Sequence, residues 1–481
     1  MKKLLKVAAA ATLLVSFAPS ISAQELTNTK VVTTANVQPL SVAETQQILR
    51  EVAVSKGIPA EILKAMAFVE TGMKQFNSDG TPIEATDGGI GIMQLTLTPS
   101  EISQFNVDVE KLKYDTKYNI EQGANHLLRK WKNKNLPQVN NHEQNKIEDW
   151  YFAVMAYNGL SKRNDPIFSG SNAYQEKVFN SIRDNSQIPL GNTPKLSIAY
   201  PNPSAPELME FPGGVDYQWP TSTNTTQNYM AKEIGYTYNT FGVPSKLRKS
   251  ITDTTSTGYL NYTPVQIEGG PYDSPSIYNH FAFYKVKGTN FDGYMASSNI
   301  QTSKDVKLFT DISGEVQRSV TFLQTRKTIN GYADGFRAGV QIPRKQAAAL
   351  IVQALDLKLP SGYKMKATDV STSDPLYQYM MIAEAHGIMG AGGTFKPNDL
   401  LIRSDMATIL VRAYSEVFEN PPASYKFAGV ETTDPNYANI NKLAYNGITV
   451  NNPFNRNGYL TRGEYARFLE RSVIKQEAKQ Q

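Results

Sequence analysis

The chain has 481 residues, 40% hydrophobic and 19% charged, with a formal net charge of +5; this suits globular modules and allows about three domains. It has no cysteine, which excludes disulfides and a cysteine nucleophile, and its four histidines, His126, His142, His280 and His386, lack zinc-ligand spacing. No metal or other cofactor is expected, and so small a charge does not argue for nucleic acid.

Residues 1–23 read as a secretory signal peptide: a basic start at Met1-Lys2-Lys3-Leu4-Leu5-Lys6, an apolar run from Val7 to Phe17, and a small-residue cleavage site at Ile21-Ser22-Ala23. The run is too short to span a bilayer, and no later segment is long and apolar enough to do so. Cleavage after Ala23 removes Lys2, Lys3 and Lys6 and takes the net charge from +5 to +2. An exported chain without cysteine or metal ligands suits the outer surface of a Gram-positive bacterium.

Residues 41–188 read as a helical block. Ser41 and Glu44 form a capping box for a first helix that ends near Gly57. A second helix starts with Pro59 in its first turn and stops at Gly72, with Ile62, Leu63, Met66, Ala67 and Val69 on one arc. Glu70 falls inside that arc. There it loses water and sits at the negative end of the helix dipole, and both effects favour its protonated form. A carboxylic acid that keeps its proton near neutral pH can act as a general acid; the plainer alternative is a glutamate at a helix end that reaches solvent. Further helices are predicted from Asn119 to Lys132 and from Glu148 to Asn158, the latter repeating Trp150, Ala153, Val154 and Tyr157 at helical spacing.

Seven prolines between Pro189 and Pro220 predict an extended, semi-rigid linker over 189–239. Residues 240–304 turn to strands, with alternation in Val265-Gln266-Ile267 and Phe281 to Val286. The last third repeats. Phe336, Phe395 and Phe454 each precede an arginine by eight residues, and those arginines, Arg344, Arg403 and Arg462, are spaced by 59. A helical stretch follows each, so a repeat architecture is expected over 305–358, 359–420 and 421–476.

The order of helical Glu70, then Gly88-Gly89-Ile90-Gly91-Ile92-Met93-Gln94-Leu95, then Ala156-Tyr157-Asn158-Gly159, resembles the SLT family of lytic transglycosylases, which share the lysozyme-like fold. Tyr118 to Gly123 and Tyr174 to Val178 resemble the family's later helices. The resemblance implies that Glu70 is the single acid/base cleaving peptidoglycan between N-acetylmuramic acid and N-acetylglucosamine, with a 1,6-anhydro product. It also implies that Gly91, Met93, Gln94, Tyr157, Asn158 and Tyr174 line the glycan cleft, the backbone at Gly91 lying close to the sugar. Tyr157 also reads as a core aromatic, and Gln94 as a turn residue facing water. Two features depart from the family: Thr71 replaces its usual serine, and the stretch Asn77 to Asp87 is long and carries Asp79, Glu84 and Asp87. A second carboxylate in the cleft would permit hydrolysis like that of a goose-type lysozyme, for which separations of about 5–5.5 Å (retaining) or about 6.5–9.5 Å (inverting) are needed.

Gly331, Asp334 and Ile342-Pro343-Arg344, with Ile402-Arg403-Ser404-Asp405 and Leu460-Thr461-Arg462-Gly463-Glu464, resemble S-layer homology (SLH) modules. That resemblance implies three modules packed as a mostly helical pseudo-trimer that binds pyruvylated secondary cell-wall polysaccharide, with Arg344, Arg403 and Arg462 facing the acidic ketal. The third repeat is the weakest match, because Gly429-Val430 replaces Asp311-Ile312 and Asp369-Val370. Lys246-Leu247-Arg248 and Phe291 to Ser298 resemble a bacterial SH3 domain, a small all-β barrel that either binds peptidoglycan or acts as a spacer. The expectation is a multidomain, monomeric, secreted lytic transglycosylase held at the cell wall or S-layer, with no nucleic-acid partner and no membrane span. The rival from another class is a non-catalytic surface protein of the S-layer.

Overall fold

A computed structural model describes residues 39–450 and 453–480. The expected signal peptide lies outside the described residues.

The N-terminal block is helical: α1 (Val42–Ser55), α2 (Ala60–Thr71), α3 (Pro99–Gln104), α4 (Val109–Tyr114), α5 (Thr116–Trp131), α6 (Tyr151–Asn158), α7 (Pro166–Ser169) and α8 (Tyr174–Ser186). The Ser41–Glu44 capping box opens α1. Pro59 stands one place before the first turn of α2, as its N-cap, and Gly72 ends α2 at φ 63°, a left-handed backbone that glycine adopts without a Cβ penalty. The core gathers α1, α2, α5, α6 and α8, with Trp131 stacked on Trp150 at 4.2 Å.

The proline-rich stretch is not a spacer. Leu190, Leu196, Met209, Tyr217 and Trp219 are buried in the core of the helical block, with Trp219 against Tyr151 and Phe179. Proline gives up amide donors and fixes φ, so the chain can lie extended on a helical surface without a sheet partner. Large apolar residues between the prolines then bind it there. Its threonine-rich end satisfies two buried carboxylates: Glu148 accepts from Thr221 and Thr223, and Glu61 from Thr225 and Thr226.

The next unit is a curled antiparallel sheet of β1 (Ile234–Thr237), β2 (Ser245–Arg248), β3 (Thr257–Tyr259), β4 (Pro264–Asp273), β5 (Ala282–Lys287), β6 (Asp292–Ala296) and β7 (Ile300–Thr302), in the order β3-β2-β6-β5-β4-β1-β7. Its first strand falls inside the predicted linker. The sheet grips the back of α2 through a buried charge cluster, in which Asp273 at the end of β4 takes Lys64 at 2.7 Å and Arg50 at 2.8 Å. Lys64 is fully enclosed, and Gln227 is its second partner at 2.7 Å.

The C-terminal unit comprises α9 (Gly314–Thr325), α10 (Arg344–Ala354), α11 (Tyr377–Ala385), α12 (Arg403–Ala413), α13 (Tyr437–Tyr445) and α14 (Arg462–Gln480) around one core. The three repeats close into a ring. Ile342 N donates to Leu460 O, Leu460 N to Leu401 O, and Leu401 N to Ile342 O, at 2.8–2.9 Å. Among the described residues no helix is long and apolar enough to cross a membrane.

Candidate active site and binding ring

Glu70 stands in the last turn of α2 and lines a cleft of about 480 Å³ with Asn158, Arg163, Asn164, Tyr174 and Lys177. Burial pushes its carboxyl from an ordinary 4.5 up to about 7. The Tyr174 hydroxyl and Arg163 oppose that rise, while Asp87 adds to it. Tyr174 is 7% exposed, and its hydroxyl stands near enough to the Glu70 carboxyl to favour the ionised form, without a hydrogen bond of good geometry between them. His126, edge-on to Tyr157 at 5.3 Å, is pushed down to about 4, mainly by burial, and stays neutral at pH 7. A larger cavity of about 660 Å³ lies among Thr221 to Thr226, Tyr229 and Glu233, away from these groups.

The loop across from Glu70 is built by two buried amides. Gln75 Nε2 donates to Leu112 O and Lys113 O while its Oε1 accepts from Ile92 N; Asn119 Nδ2 donates to Ile90 O and Leu112 O while its Oδ1 accepts from Met93 N. Thr71 Oγ1 ties the end of α2 to Ile92 O at 3.3 Å. These contacts change two readings. A Cβ on Gly91 would lie 2.4 Å from Asn119 Nδ2, so protein packing demands this glycine, whatever approach a sugar makes. Met93 is 0% exposed and belongs to the core, so its side chain does not line the cleft. Its carbonyl instead accepts from Tyr157 at 2.8 Å. Gln94 is half-buried and folds back onto Gly91 O at 2.8 Å. Asn158 is held by Asn164 and Arg163 at the cleft. Arg163 and Asn164 carry no periodic signal and are missed by sequence reasoning; Lys177 lies in the Tyr174 to Val178 segment on α8, though nothing in that segment singles it out.

Of the three loop acids, Glu84 pairs with Lys113 at 3.1 Å and Asp79 accepts from Thr81 within its own turn. Asp87 is exposed, caps Gly89 at 3.3 Å, and is the one whose charge bears on Glu70.

In the ring, each repeat's arginine reaches into the next repeat. The Nε atoms of Arg344, Arg403 and Arg462 donate to Phe395 O, Phe454 O and Phe336 O at 2.9, 3.0 and 3.2 Å. Arg344 pairs with Asp405 at 3.0 Å and Arg403 with Glu464 at 2.8 Å. Arg462 meets Gln346 at 3.2 Å instead. Asp311 and Asp369 each cap two backbone amides of their repeat's phenylalanine turn; in the third repeat Gly429 O takes the amide of Phe454 at 3.3 Å. Asp334 is exposed and held by Arg337 at 2.7 Å. Gly331 leaves room for the Phe309 ring, which a Cβ would meet at 2.3 Å.

The family profile of the S-layer homology domain matches residues 368–407 and 427–466, the second and third repeats. The chain is 27% identical over 159 residues to the S-layer protein sap of Bacillus anthracis and 27% identical over 160 residues to an S-layer protein of Bacillus thuringiensis subsp. finitimus. Each match takes in 32% of this chain, but only 19% and 20% of the relatives' length. Together they mark a protein of the cell wall or S-layer surface of a Gram-positive bacterium.

Proposed function

We propose that the protein is a wall-anchored lytic transglycosylase: a lysozyme-like helical block cuts peptidoglycan glycan strands, an SH3-like sheet braces it, and three SLH modules bind pyruvylated secondary cell-wall polysaccharide. One observation carries the catalytic reading. Glu70, on a capped helix and in a polar cleft, has its proton affinity tuned by burial to about neutral pH. In that state it can give a proton to the glycosidic oxygen between N-acetylmuramic acid and N-acetylglucosamine. The resulting carboxylate can then take the proton of the sugar's own 6-hydroxyl as that oxygen closes the 1,6-anhydro ring. Tyr174, whose hydroxyl favours the ionised form of Glu70, suits holding the carboxylate between the two transfers. The anchoring reading rests on the two matched modules and on the ring that joins them to the first repeat.

Asp87 favours a second reading, hydrolysis, in which it would steer water. Mass spectrometry of muropeptides released from purified sacculi separates the two: anhydro ends support transglycosylation, and reducing ends support hydrolysis. If wild-type protein and Glu70→Gln release nothing alike, the block is not an enzyme, and a surface protein of the S-layer is what remains.

A further inference from the structure

The three ring arginines occupy equivalent places, yet their charges are not balanced alike. The residue two places after each arginine faces the guanidinium of the preceding repeat. It is Asp405 for Arg344 and Glu464 for Arg403, but the neutral Gln346 for Arg462. Arg462 is only 7% exposed, and burying a cation without a carboxylate is costly. Arg337 lies near enough to add repulsion, and together with burial lowers the proton affinity of Arg462. Its neighbours leave it able to bind. Nε, Nη1 and Nη2 each spend one hydrogen, on Phe336 O, Gln346 Oε1 and Asn330 O, so two of the five guanidinium hydrogens, one on each terminal nitrogen, have no acceptor. The rim is open, because Asn330 and Tyr332 are exposed; the Tyr332 ring lies against the guanidinium at 4.8 Å, and Arg337 lies over the same ring at 4.6 Å.

We propose that the junction of the third and first repeats, centred on Arg462, is the principal site in this chain for a carboxylate-bearing wall saccharide. This deepens the anchoring reading and rests on it. A ligand carboxylate arriving at Arg344 or Arg403 meets Asp405 or Glu464 already in place, and like charges repel it; Arg403 Nη2 is also unpaired, but beside Glu464. At Arg462 the incoming carboxylate meets an amide and supplies the missing counter-charge, and each terminal nitrogen still has a hydrogen to give it.

The test uses the full chain and purified secondary wall polysaccharide, native or stripped of ketal-linked pyruvate by mild acid, with binding read by calorimetry. Wild type should bind the native polymer and lose most binding to the stripped one. Gln346→Glu should weaken binding about tenfold or more while raising thermal stability, because it completes the third ion pair and cannot be dismissed as misfolded. Asp405→Asn and Glu464→Gln should not weaken it. If Gln346→Glu binds as wild type does, or if stripping the ketal changes nothing, the assignment to Arg462 is wrong although the anchor reading stands. If wild type does not bind the native polymer at all, both fall.

Discussion

Replacing Glu70 by glutamine should leave the helical block more stable than wild type, but only at neutral and alkaline pH. The carboxyl's proton affinity in the folded protein lies near 7 instead of 4.5, so the folded state resists ionisation that the unfolded chain undergoes freely. Stability is therefore undiminished below about pH 4.5, falls as pH rises through 7, and is lowest above it. A rise of that size, at about 1.36 kcal/mol per unit, sets an upper bound of roughly 3 kcal/mol on the loss. Glutamine does not ionise and escapes it. The chain's three tryptophans, Trp131, Trp150 and Trp219, all lie in the core of the helical block, so denaturant unfolding followed by tryptophan fluorescence reports this unit. The variant and wild type should coincide at pH 4 and diverge in favour of the variant by pH 8, while activity on sacculi drops about 10²–10⁴-fold. A stability difference that does not vary with pH, or that favours wild type at pH 8, would refute the claim that Glu70 is a desolvated acid.

Asp87→Asn removes a charge that raises Glu70's proton affinity, so the alkaline limb of the pH–rate profile should move to lower pH; loss of activity at every pH would instead make Asp87 a second catalytic acid. Arg163→Gln should move the same limb to higher pH, because that cation favours the ionised form. Asp273→Ala strands Lys64 and Arg50 in the interface between sheet and helices and should destabilise the block by about 3–5 kcal/mol, read as an earlier tryptophan transition. Gly91→Ala drives a methyl group into Asn119 and Gln75 and should cost about 1–3 kcal/mol along with activity; a variant as stable and active as wild type would mean the loop can relax.

The parts of this protein legible in its sequence are those governed by local rules. Capping and periodicity placed α2 and singled out Glu70, because a helix sorts its faces by burial whatever lies around it. The phase of 59 residues exposed the repeats for the same reason. What escaped was set by contacts between distant segments. The prolines around Leu196 and Trp219 read as a spacer because no period marks an extended chain that is bound by scattered anchors. Gln75 and Asn119 carry no pattern at all, since a buried amide is recognised only by the backbone groups it satisfies. Met93 sits in a motif beside the cleft yet turns inward. The pairing of each ring arginine with a residue two places beyond the next arginine could have been read from the phase, where Asp405 and Glu464 stand in register and Gln346 breaks it.

The closed ring also bears on the order of events as the chain is made. Its first helix, α9, is tied to its last, α14: Glu315 to Arg467 and Arg471, and Arg326 to Glu477. The triangle of backbone bonds likewise waits for Leu460. A polypeptide synthesised from its amino end thus completes its helical block, whose buried Lys64 waits for Asp273, about 190 residues before Leu460 can close the ring. Ring closure is then the last of these folding steps, and a chain truncated before Leu460 would keep the helical block and the sheet beside an open ring.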